Sequence, residues 1–250
     1  MIVRKSPREI EIMRIAGKIT ANTLRLAKEI AKKDTRTDYL NTELEKYIVS
    51  QSGIPIFKGY RGFPKSICTS INEEVVHGIP DQRKLQDGDI LSIDVGVSYR
   101  KYIADAAITV PIGAISPEAK RLIEVCENSL NLAIKAIKPN IKLSVISRTI
   151  QEYVEKNGYS VIRNYTGHGI GRRMHEDPQV PNFVSKQLLE ADEILTPGVT
   201  IAIEPMICMG VCDTEVLGNK WTVVTKDRKL SAHFEHTIVV TENGADILTI

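Results

Sequence analysis

The N-terminal part of the chain has the hydrophobic spacing of a long helix. The segment Ser6-Pro7-Arg8-Glu9 has the residues of a helix start: Ser caps the first turn, Pro suits the first helical position, and Glu completes a capping box. A shorter helical pattern runs from Leu40 to Val49 and closes on Gly53. The apolar positions of the first pattern are Ile12, Ile15, Ile19 and Leu26. The spacing therefore predicts two consecutive helices.

The same order of patterns returns later in the chain. Ser116-Pro117-Glu118 opens another helical pattern, and Pro139 ends it. A further helix is predicted from Val145 to Val154, closing on Gly158. The apolar positions of the longer helix are Leu122, Val125, Leu132 and Ile137. A repeat of this length indicates two related halves.

Strand-like segments follow each helix pair, and they also match. Residues 87–94 resemble residues 196–204, and residues 105–110 echo residues 235–240. Equivalent positions are 110 residues apart in three pairs: Ser6 and Ser116, Gly88 and Gly198, and Asp94 and Glu204. Residues 76–79, which contain His77, echo residues 167–170, which contain His168. The strands of the two halves thus belong to the same repeat as the helices.

The repeat predicts an α/β fold with pseudo-two-fold symmetry. The two halves cover about residues 6–112 and 114–245, and each consists of two helices followed by several strands. We expect the strands to join into one curved sheet, mostly antiparallel, with two pairs of helices on its outer face. Residues 1–250 then form a single domain, because no segment rich in Gly, Ser or Pro separates the halves. A cleft is expected at the centre.

Composition and charge exclude several classes of protein. The 250 residues are 42% hydrophobic and 26% charged, which is typical of a globular protein rather than a disordered or coiled-coil chain. The net charge of +2 is too small for a protein that binds phosphate backbones. The segment that follows Met1 lacks the apolar core of a signal peptide, and the chain contains no apolar run long enough to span a bilayer. Four cysteines are too few for a disulfide scaffold, so we expect a cytoplasmic protein with reduced thiols.

Four acidic residues occupy matching positions at the ends of apolar strands. Asp94 is equivalent to Glu204, and Asp105 to Glu235, so the symmetry brings all four carboxylates toward one axis. Such a cluster repels itself and needs protons or cations, and two divalent ions balance four carboxylates. His168, between two glycines, is the best candidate for a nitrogen ligand. Oxygen ligands with one imidazole suit Mn, Fe(II), Co, Mg or Zn. Buried ion pairs are the structural alternative.

The histidines are concentrated near these acids. All five lie in or beside the motifs of the repeat. His77 and His175 remain once His168 is assigned to metal, and either could donate a proton to a reacting carbonyl group or its tetrahedral intermediate. His233 and His236 flank Glu235 closely enough to orient its carboxylate, although His236 could equally be a buried structural residue.

The motifs resemble those of the methionine aminopeptidases over essentially the whole chain. The spaced set Asp94, Asp105, His168, Glu204 and Glu235 looks like the dinuclear metal site of that family. The sequence segments around these residues also resemble the motifs of the family. They are residues 65–73, 77–80, 166–172, 175–178, 204–205 and 234–237. The resemblance implies the two-fold "pita-bread" fold and the minimal type I form found in bacteria.

The resemblance also implies a role for each of these residues. Asp94 binds one metal ion, Asp105 and Glu235 bridge both ions, and His168 and Glu204 complete the second ion. A hydroxide that bridges the metals attacks the peptide carbonyl. The catalytic residues are Glu204 as proton shuttle, His77 near the scissile nitrogen and His175 near the carbonyl oxygen.

The implied substrate site accepts a methionine side chain. Its residues are Phe57, Tyr60, Phe63, Cys68, His77, His175 and Trp221. Tyr60 and Phe63 lie in a segment that contains Gly and Pro and is therefore expected to be a loop, where aromatic core residues are unusual. Core packing remains the simpler alternative for these aromatic residues. Cys68 is not expected to act as a nucleophile, since the metal-bound hydroxide makes one unnecessary.

The expected activity is removal of the initiator methionine from nascent proteins and peptides with a small second residue. The expected partners are nascent polypeptide N termini and the ribosome near its exit tunnel, with no specific nucleic acid and no membrane, and the protein is expected to be a monomer. Met174, Ala106, Ala107 and His233 depart from the family pattern without touching an expected ligand; Gln is the usual residue at position 233.

Two other functions fit part of the pattern. An Xaa-Pro aminopeptidase or prolidase shares the fold and metal set, but such enzymes usually carry an extra N-terminal domain. A non-catalytic relative that binds ribosomes or nucleic acid would lack some of the ligands. All five ligands are present here, so we expect an enzyme.

Overall fold

The two long helices begin at the Ser-Pro signals. The computed structural model describes residues 2–250 and contains α1 at Pro7–Ile30 and α3 at Pro117–Ala136. Ser6 caps α1: its Oγ accepts the Glu9 N–H, and the Glu9 carboxylate accepts the Ser6 N–H at 2.8 Å. Ser116 caps α3 by accepting the N–H of Ala119. Both helix starts are confirmed.

The shorter helices end differently from one another. They are α2 at Thr37–Ser50 and α4 at Ser144–Lys156. Gly158 has a φ of +83° and donates its N–H to the Glu155 carbonyl, so it closes α4 as predicted. After α2 the left-handed residue is Ser52, with φ +62°, and not Gly53. One further helix, α5 at Lys186–Glu190, is too short to show a helical period in the sequence.

One antiparallel sheet of nine strands forms the centre of the fold. Its main path runs in the order β1-β4-β5-β16-β11-β8-β9, while β2 pairs with β4 and β17 pairs with β16. These strands are β1 Ile54–Pro55, β2 Cys68–Ile71, β4 Ile90–Tyr99, β5 Tyr102–Pro111, β8 Gly167–Gly169, β9 Glu176–Val180, β11 Thr200–Ile203, β16 Glu235–Thr241 and β17 Gly244–Ile247.

Shorter strands form three small sheets around it. The orders are β10-β6, β15-β12-β7 and β13-β14-β3, and a short 3₁₀ turn lies at Tyr60–Gly62. These strands are β3 Glu74–Val76, β6 Ile141–Lys142, β7 Ser160–Val161, β10 Ile194–Leu195, β12 Met206–Cys208, β13 Thr214–Val216, β14 Val223–Thr225 and β15 Ser231–His233. Together with the helices they confirm the predicted α/β class.

The centre of the main sheet follows the repeat. β5 and β16 pair at the middle, and β4 and β11 flank them. Gly88 and Gly198 precede the flanking strands in the same left-handed conformation, with φ of +97° and +90°. Their N–H groups donate to the carbonyls of Ile112 and Val240. The equivalent turns therefore start the flanking strands in the same way.

The two faces of this sheet differ in chemistry. On β4, Leu91 and Ile93 belong to a core cluster that includes Leu40 and Leu44 of α2. Side chains alternate between faces along a strand, so Asp94 points to the other face. The helices thus cover one face, and the acidic residues lie on the opposite one. Between residues 2 and 250, no helix has the length and apolarity needed to cross a membrane.

Candidate metal centre

Strand register brings the acidic residues of the central strands together. Asp94 on β4 and Glu235 on β16 are both paired with Ala107 of β5, which lies between them. Directly paired residues share a face of the sheet, so the two carboxylates point the same way across a small side chain. Asp105 lies two residues before Ala107 on the same face and is paired with Gly96. Small neighbours leave space between these acids.

His168 and Glu204 reach the same face from the other half of the molecule. His168 on β8 is paired with Ala202 of β11, and Glu204 follows β11 directly. The His168 ring places Nδ1 2.9 Å from the Gly169 carbonyl oxygen, which can only accept a hydrogen bond. Nδ1 therefore carries the hydrogen and leaves the Nε2 lone pair free. This Nε2 lies 3.7 Å from Glu204 Oε1.

The buried polar atoms of this cluster are what a metal site requires. Within residues 2–250, Asp94 Oδ1, Asp105 Oδ1, Glu235 Oε1 and His233 Nε2 are all buried without a hydrogen-bond partner. No Lys or Arg in this part of the chain forms an ion pair with the four acids, which contradicts the alternative of buried ion pairs. Unpaired buried carboxylates are costly, so the residues present fit divalent cations.

Burial raises the pKa values of the four acidic residues, and mutual repulsion adds to this at three of them. Burial, together with Asp105 and Glu204, raises the pKa of Asp94 well above its ordinary value. The pKa values of Glu204 and Glu235 are raised well above the ordinary range by burial first and by neighbouring carboxylates second. Burial raises the pKa of Asp105 to about 7. Without cations the cluster can keep its acids close only by holding protons.

The possible ligand atoms fall into two overlapping groups. Asp105, His168 and Glu235 form one group, and Glu204, His233 and Glu235 form the other; within each group the ligand atoms lie within 4.8 Å of one another. Glu235 belongs to both. Two neighbouring groups that share one carboxylate can hold two ions side by side.

A cavity of about 310 Å³ opens onto the cluster, and every site residue predicted from the sequence lines it. Five further residues line it too. Of these, Met174 is a departure from the family pattern that the sequence already places at the rim of the pocket, whereas Arg61 gave no signal, because an arginine in a polar loop is ordinary. The additional lining residues are Arg61, Asn164, Tyr165, Thr166 and Met174.

Two histidines besides His168 line this cavity. His77 adopts a left-handed backbone conformation with φ +59°, which is uncommon for a residue other than Gly and is often found at functional sites. Burial, reinforced by His175, lowers the pKa of His77 to about 4. His175 is partly exposed to solvent, and the partial burial of its ring, with a contribution from the charge of Arg61, lowers its pKa. Both rings are therefore neutral at neutral pH.

Aromatic residues close the remaining wall. Phe63 meets Trp221 edge to face, with ring centroids 5.1 Å apart, and His77 approaches Trp221 at 6.4 Å. Phe57 lies against Gly96, where an added Cβ would come within 2.6 Å of its ring. Cys68 is buried, and burial followed by the nearby Asp94 raises the pKa of its thiol well above its ordinary value. Such a thiol is a wall residue rather than a nucleophile.

The two histidines that flank Glu235 do not both face it. His236 lies on the helix side of the sheet, where its Nδ1 is 2.8 Å from Thr249 Oγ1. His233 lies next to Glu204, with its Nε2 3.6 Å from Glu204 Oε2. The expected orienting role at Glu235 is wrong for His236, because alternation along β16 turns its ring away. For His233 the structure identifies a different neighbour.

A family model extends over most of the chain. Residues 11–242 match the model described as metallopeptidase family M24. Among curated relatives, "Methionine aminopeptidase 1" of Bacillus subtilis is 49% identical over 249 residues, which is 100% of this chain and 99% of the relative.

Two solved structures resemble this chain to different degrees. The crystal structure of methionine aminopeptidase from Rickettsia prowazekii superposes with a TM-score of 0.96 at 41% identity and covers 100% of both chains, which confirms the pita-bread architecture. Prolidase from Pyrococcus furiosus has a TM-score of 0.80 at 21% identity, and the match covers 99% of this chain but 65% of the prolidase. That similarity shows the fold alone.

Proposed function

The chain belongs to metallopeptidase family M24, and we propose that it removes the initiator methionine from nascent proteins and peptides with a small second residue. Full-length relatives named methionine aminopeptidase support this activity. The observation that carries the proposal is the cluster of buried carboxylate oxygens without partners at the floor of an aromatic-walled cavity. Metal-dependent exopeptidase chemistry is the reaction class that such a site serves.

Two divalent ions are the proposed cofactors. Asp94 would hold one ion, His168 and Glu204 would hold the other, and Asp105 and Glu235 would contribute to both. Bound there, the ions would polarise the scissile carbonyl and supply an activated water as nucleophile. The donor set of carboxylates and imidazole suits Mn, Fe(II), Co, Mg and Zn.

The side chains of the chain carry the proton steps. Glu204 accepts a proton from the attacking water through its carboxylate and passes it to the leaving amine. His77 donates a hydrogen bond at the scissile amide nitrogen, and His175 donates one to the carbonyl oxygen as negative charge develops on it. Neutral rings suit this task, because a neutral imidazole has one N–H to donate.

The methionine side chain is proposed to occupy the aromatic part of the cavity. An unbranched thioether fits an apolar pocket of modest volume and makes favourable contacts with aromatic rings. The second residue of the substrate must pass between the metal ligands and His175, and this crowding favours a small side chain. The proposed substrate-binding residues are Phe57, Tyr60, Phe63, Cys68, His77, His175 and Trp221.

The proposal includes where the protein acts and in which oligomeric state. We propose that the protein works in the cytoplasm as a monomer on emerging N termini near the ribosomal exit tunnel. Residues 1–250 act as one catalytic domain, with pseudo-symmetric halves at about 6–112 and 114–245 that each contribute part of the metal site. The site lies between the halves, so neither half is expected to be active alone.

The test is a comparison of four peptides. Protein stripped with a chelator is supplied with Mn, Co, Fe(II) or Zn and incubated with Met-Ala-Ser, Met-Leu-Ser, Pro-Ala-Ser and Ala-Pro-Ser. We expect release of Met from Met-Ala-Ser, slower release from Met-Leu-Ser, and no cleavage of the other two. Cleavage of Ala-Pro-Ser in preference would reassign the substrate to the Xaa-Pro class, and no cleavage with any metal would favour a binding module.

A further inference from the structure

His233 is a buried imidazole whose ring nitrogen has no partner. Its relative exposure is 1%, and its Nε2 forms no hydrogen bond with any of residues 2–250. The nearest acid is Glu204, with Nε2 3.6 Å from Oε2. The other oxygen of the same carboxylate, Oε1, faces His168 Nε2 at 3.7 Å. Glu204 thus lies between two imidazoles at nearly equal distances.

The backbone holds His233 firmly in this position. Its N–H donates to Thr109 Oγ1 at 2.9 Å, and the Thr109 hydroxyl donates back to the His233 carbonyl at 2.8 Å. His233 is also the last residue of β15 and is paired with Met206 of β12. Side-chain rotation is the only freedom left, and the surrounding core restricts it. The nitrogen is therefore directed at Glu204 by the fold.

The distance between His233 Nε2 and Glu204 Oε2 indicates how the two side chains interact. A hydrogen bond from an imidazole N–H to a carboxylate measures about 2.7–3.2 Å, so 3.6 Å is too long for one. Two ligands on the same ion, each about 2.0–2.2 Å from it, lie about 2.8–3.6 Å apart at octahedral or tetrahedral angles, and the observed separation is at the upper end of this range. Glu204, His233 and Glu235 together have ligand atoms within 4.8 Å of one another.

We propose that His233 is a sixth metal ligand, whose Nε2 joins Glu204 Oε2 and Glu235 on one ion, while His168 faces Oε1 on the other side of the same Glu204 carboxylate. This inference rests on the proposed metal site and adds to it a ligand that the family resemblance does not supply. An imidazole is a softer and stronger donor than the amide usually found at this position. Its presence shifts the preference of the site toward borderline ions such as Co(II), Fe(II) and Zn(II), and away from Mg(II).

The test counts the histidines that bind the metal. Wild-type protein is stripped with a chelator and loaded with Co(II), and its proton NMR spectrum is searched for the hyperfine-shifted imidazole N–H signals of bound histidines. We expect signals from both His168 and His233. In His233→Gln the second signal disappears, whereas the matched control His236→Gln retains both, because His236 lies on the other face of the sheet and bonds to Thr249.

Metal affinity provides a second measurement. Calorimetric titration of the stripped proteins with Co(II) and with Mn(II) gives the two dissociation constants for each variant. His233→Gln should weaken Co(II) binding at least about tenfold, with a smaller effect on Mn(II), and His236→Gln should change neither. A loss that is equal for both metals, with both signals retained, would make His233 a positioning residue and overturn the proposal.

The remaining outcomes separate this inference from the proposed function. Wild-type protein that binds Co(II) but shows the signal of His168 alone overturns the role of His233 and leaves the aminopeptidase proposal intact. Wild-type protein that binds no metal removes the proposed function, and the ligand role falls with it. The number of shifted histidine signals from wild-type protein tests the proposal even if His233→Gln does not fold, because that measurement needs no variant.

Discussion

The hydroxyl of Tyr60 lies 2.7 Å from Nδ1 of His175, and the two rings stack with centroids 5.5 Å apart. His175 is neutral at neutral pH because burial of its ring and the charge of Arg61 lower its pKa. When the Tyr60 hydroxyl donates to Nδ1, the ring hydrogen is on Nε2. We infer that Tyr60 is the donor, and in this arrangement the aromatic loop selects the tautomer of His175 whose Nε2–H can be donated to a substrate.

Replacing Tyr60 by Phe should remove this selection while keeping the ring. We expect kcat for Met-Ala-Ser to fall about tenfold, with a smaller change in KM, because the donor at His175 is no longer fixed in the productive tautomer. The matched control is Tyr39→Phe, since Tyr39 is exposed on α2 away from the cavity. Equal kcat values for both variants would show that the tautomer is fixed in another way.

His77 should matter for turnover rather than for folding. Replacement by Ala is expected to lower kcat by about 10²–10³-fold, the usual effect of removing a donor aimed at the reacting atoms. Ala accepts the left-handed backbone at His77 less readily than His does, so we expect a small decrease in melting temperature beside the large loss of kcat. Steady-state kinetics and thermal melts on the same preparation check both parts. An unchanged kcat would remove His77 from the catalytic residues.

A buried ion pair fastens the N-terminal segment to the loop that carries His175. Lys5 Nζ lies 2.6 Å from Glu176 Oε2, and both side chains are less than a tenth exposed. The Glu176 carboxylate also accepts the N–H groups of Arg172 and Arg173. Replacing Lys5 by Met leaves this carboxylate buried without its cation, so we expect a loss of about 3 kcal/mol in the free energy of unfolding.

The controls for Lys5→Met separate its charge from its packing. Lys46→Met removes an exposed pair with Glu43 and should cost less than about 1 kcal/mol. The double variant Lys5→Met with Glu176→Gln should recover part of the loss, because Gln still accepts the backbone N–H groups. Denaturant unfolding of the four proteins makes the comparison. Equal losses at Lys5 and Lys46 would contradict the assigned role of the buried pair.

The same pair gives stability a definite dependence on pH. Burial raises the pKa of Glu176, but the hydrogen bonds from Lys5 and from the backbone of Arg173 outweigh it and hold the pKa below its ordinary value of 4.5. A carboxyl group with a lowered pKa stabilises the fold above its unfolded pKa, and this contribution is lost as pH falls through the folded value. The deficit of Lys5→Met should therefore be complete at about pH 7 and shrink as the pH falls below the ordinary Glu value of 4.5.

Metal removal should destabilise the fold. An ion that binds only the native state at 100 times its dissociation constant adds about 2.7 kcal/mol, which corresponds to about 5–10 °C in melting temperature for a chain of this size. Thermal melts of chelator-stripped protein with increasing Co(II) should show this rise. Identical melting curves with and without metal would revive the interpretation of the acids as a purely structural cluster.

Much of the fold could be predicted because its signals are local. Ser-Pro at both helix starts, the glycines before the flanking strands, and the 110-residue offset of Asp94 and Glu204 depend only on neighbours in sequence and on the repeat. The end of α2 is an exception, because Ser52 adopts the left-handed conformation that Gly53 was expected to take. Local composition cannot decide between two adjacent residues that both tolerate a turn.

The contact between His233 and Glu204 could not be predicted. It depends on how β15 and β12 lie against the end of β11, and no repeat or period encodes the distance between separate sheets. The lining residues Arg61 and Tyr165 were missed for the same reason, since they come from loops whose paths are set by tertiary packing. The symmetry of the repeat did predict that the four acids lie close together, and all of them line one cavity.

The most direct test measures free methionine released from Met-Ala-Ser by chelator-stripped protein before and after Co(II) is added, for wild type and for Glu204→Gln. Glutamine keeps the size of the side chain but removes the group proposed to move the proton. The account predicts no release without metal, rapid release by wild type with metal, and nearly none by Glu204→Gln despite an unchanged fold. Release that is independent of metal, or a fully active Glu204→Gln, would contradict it.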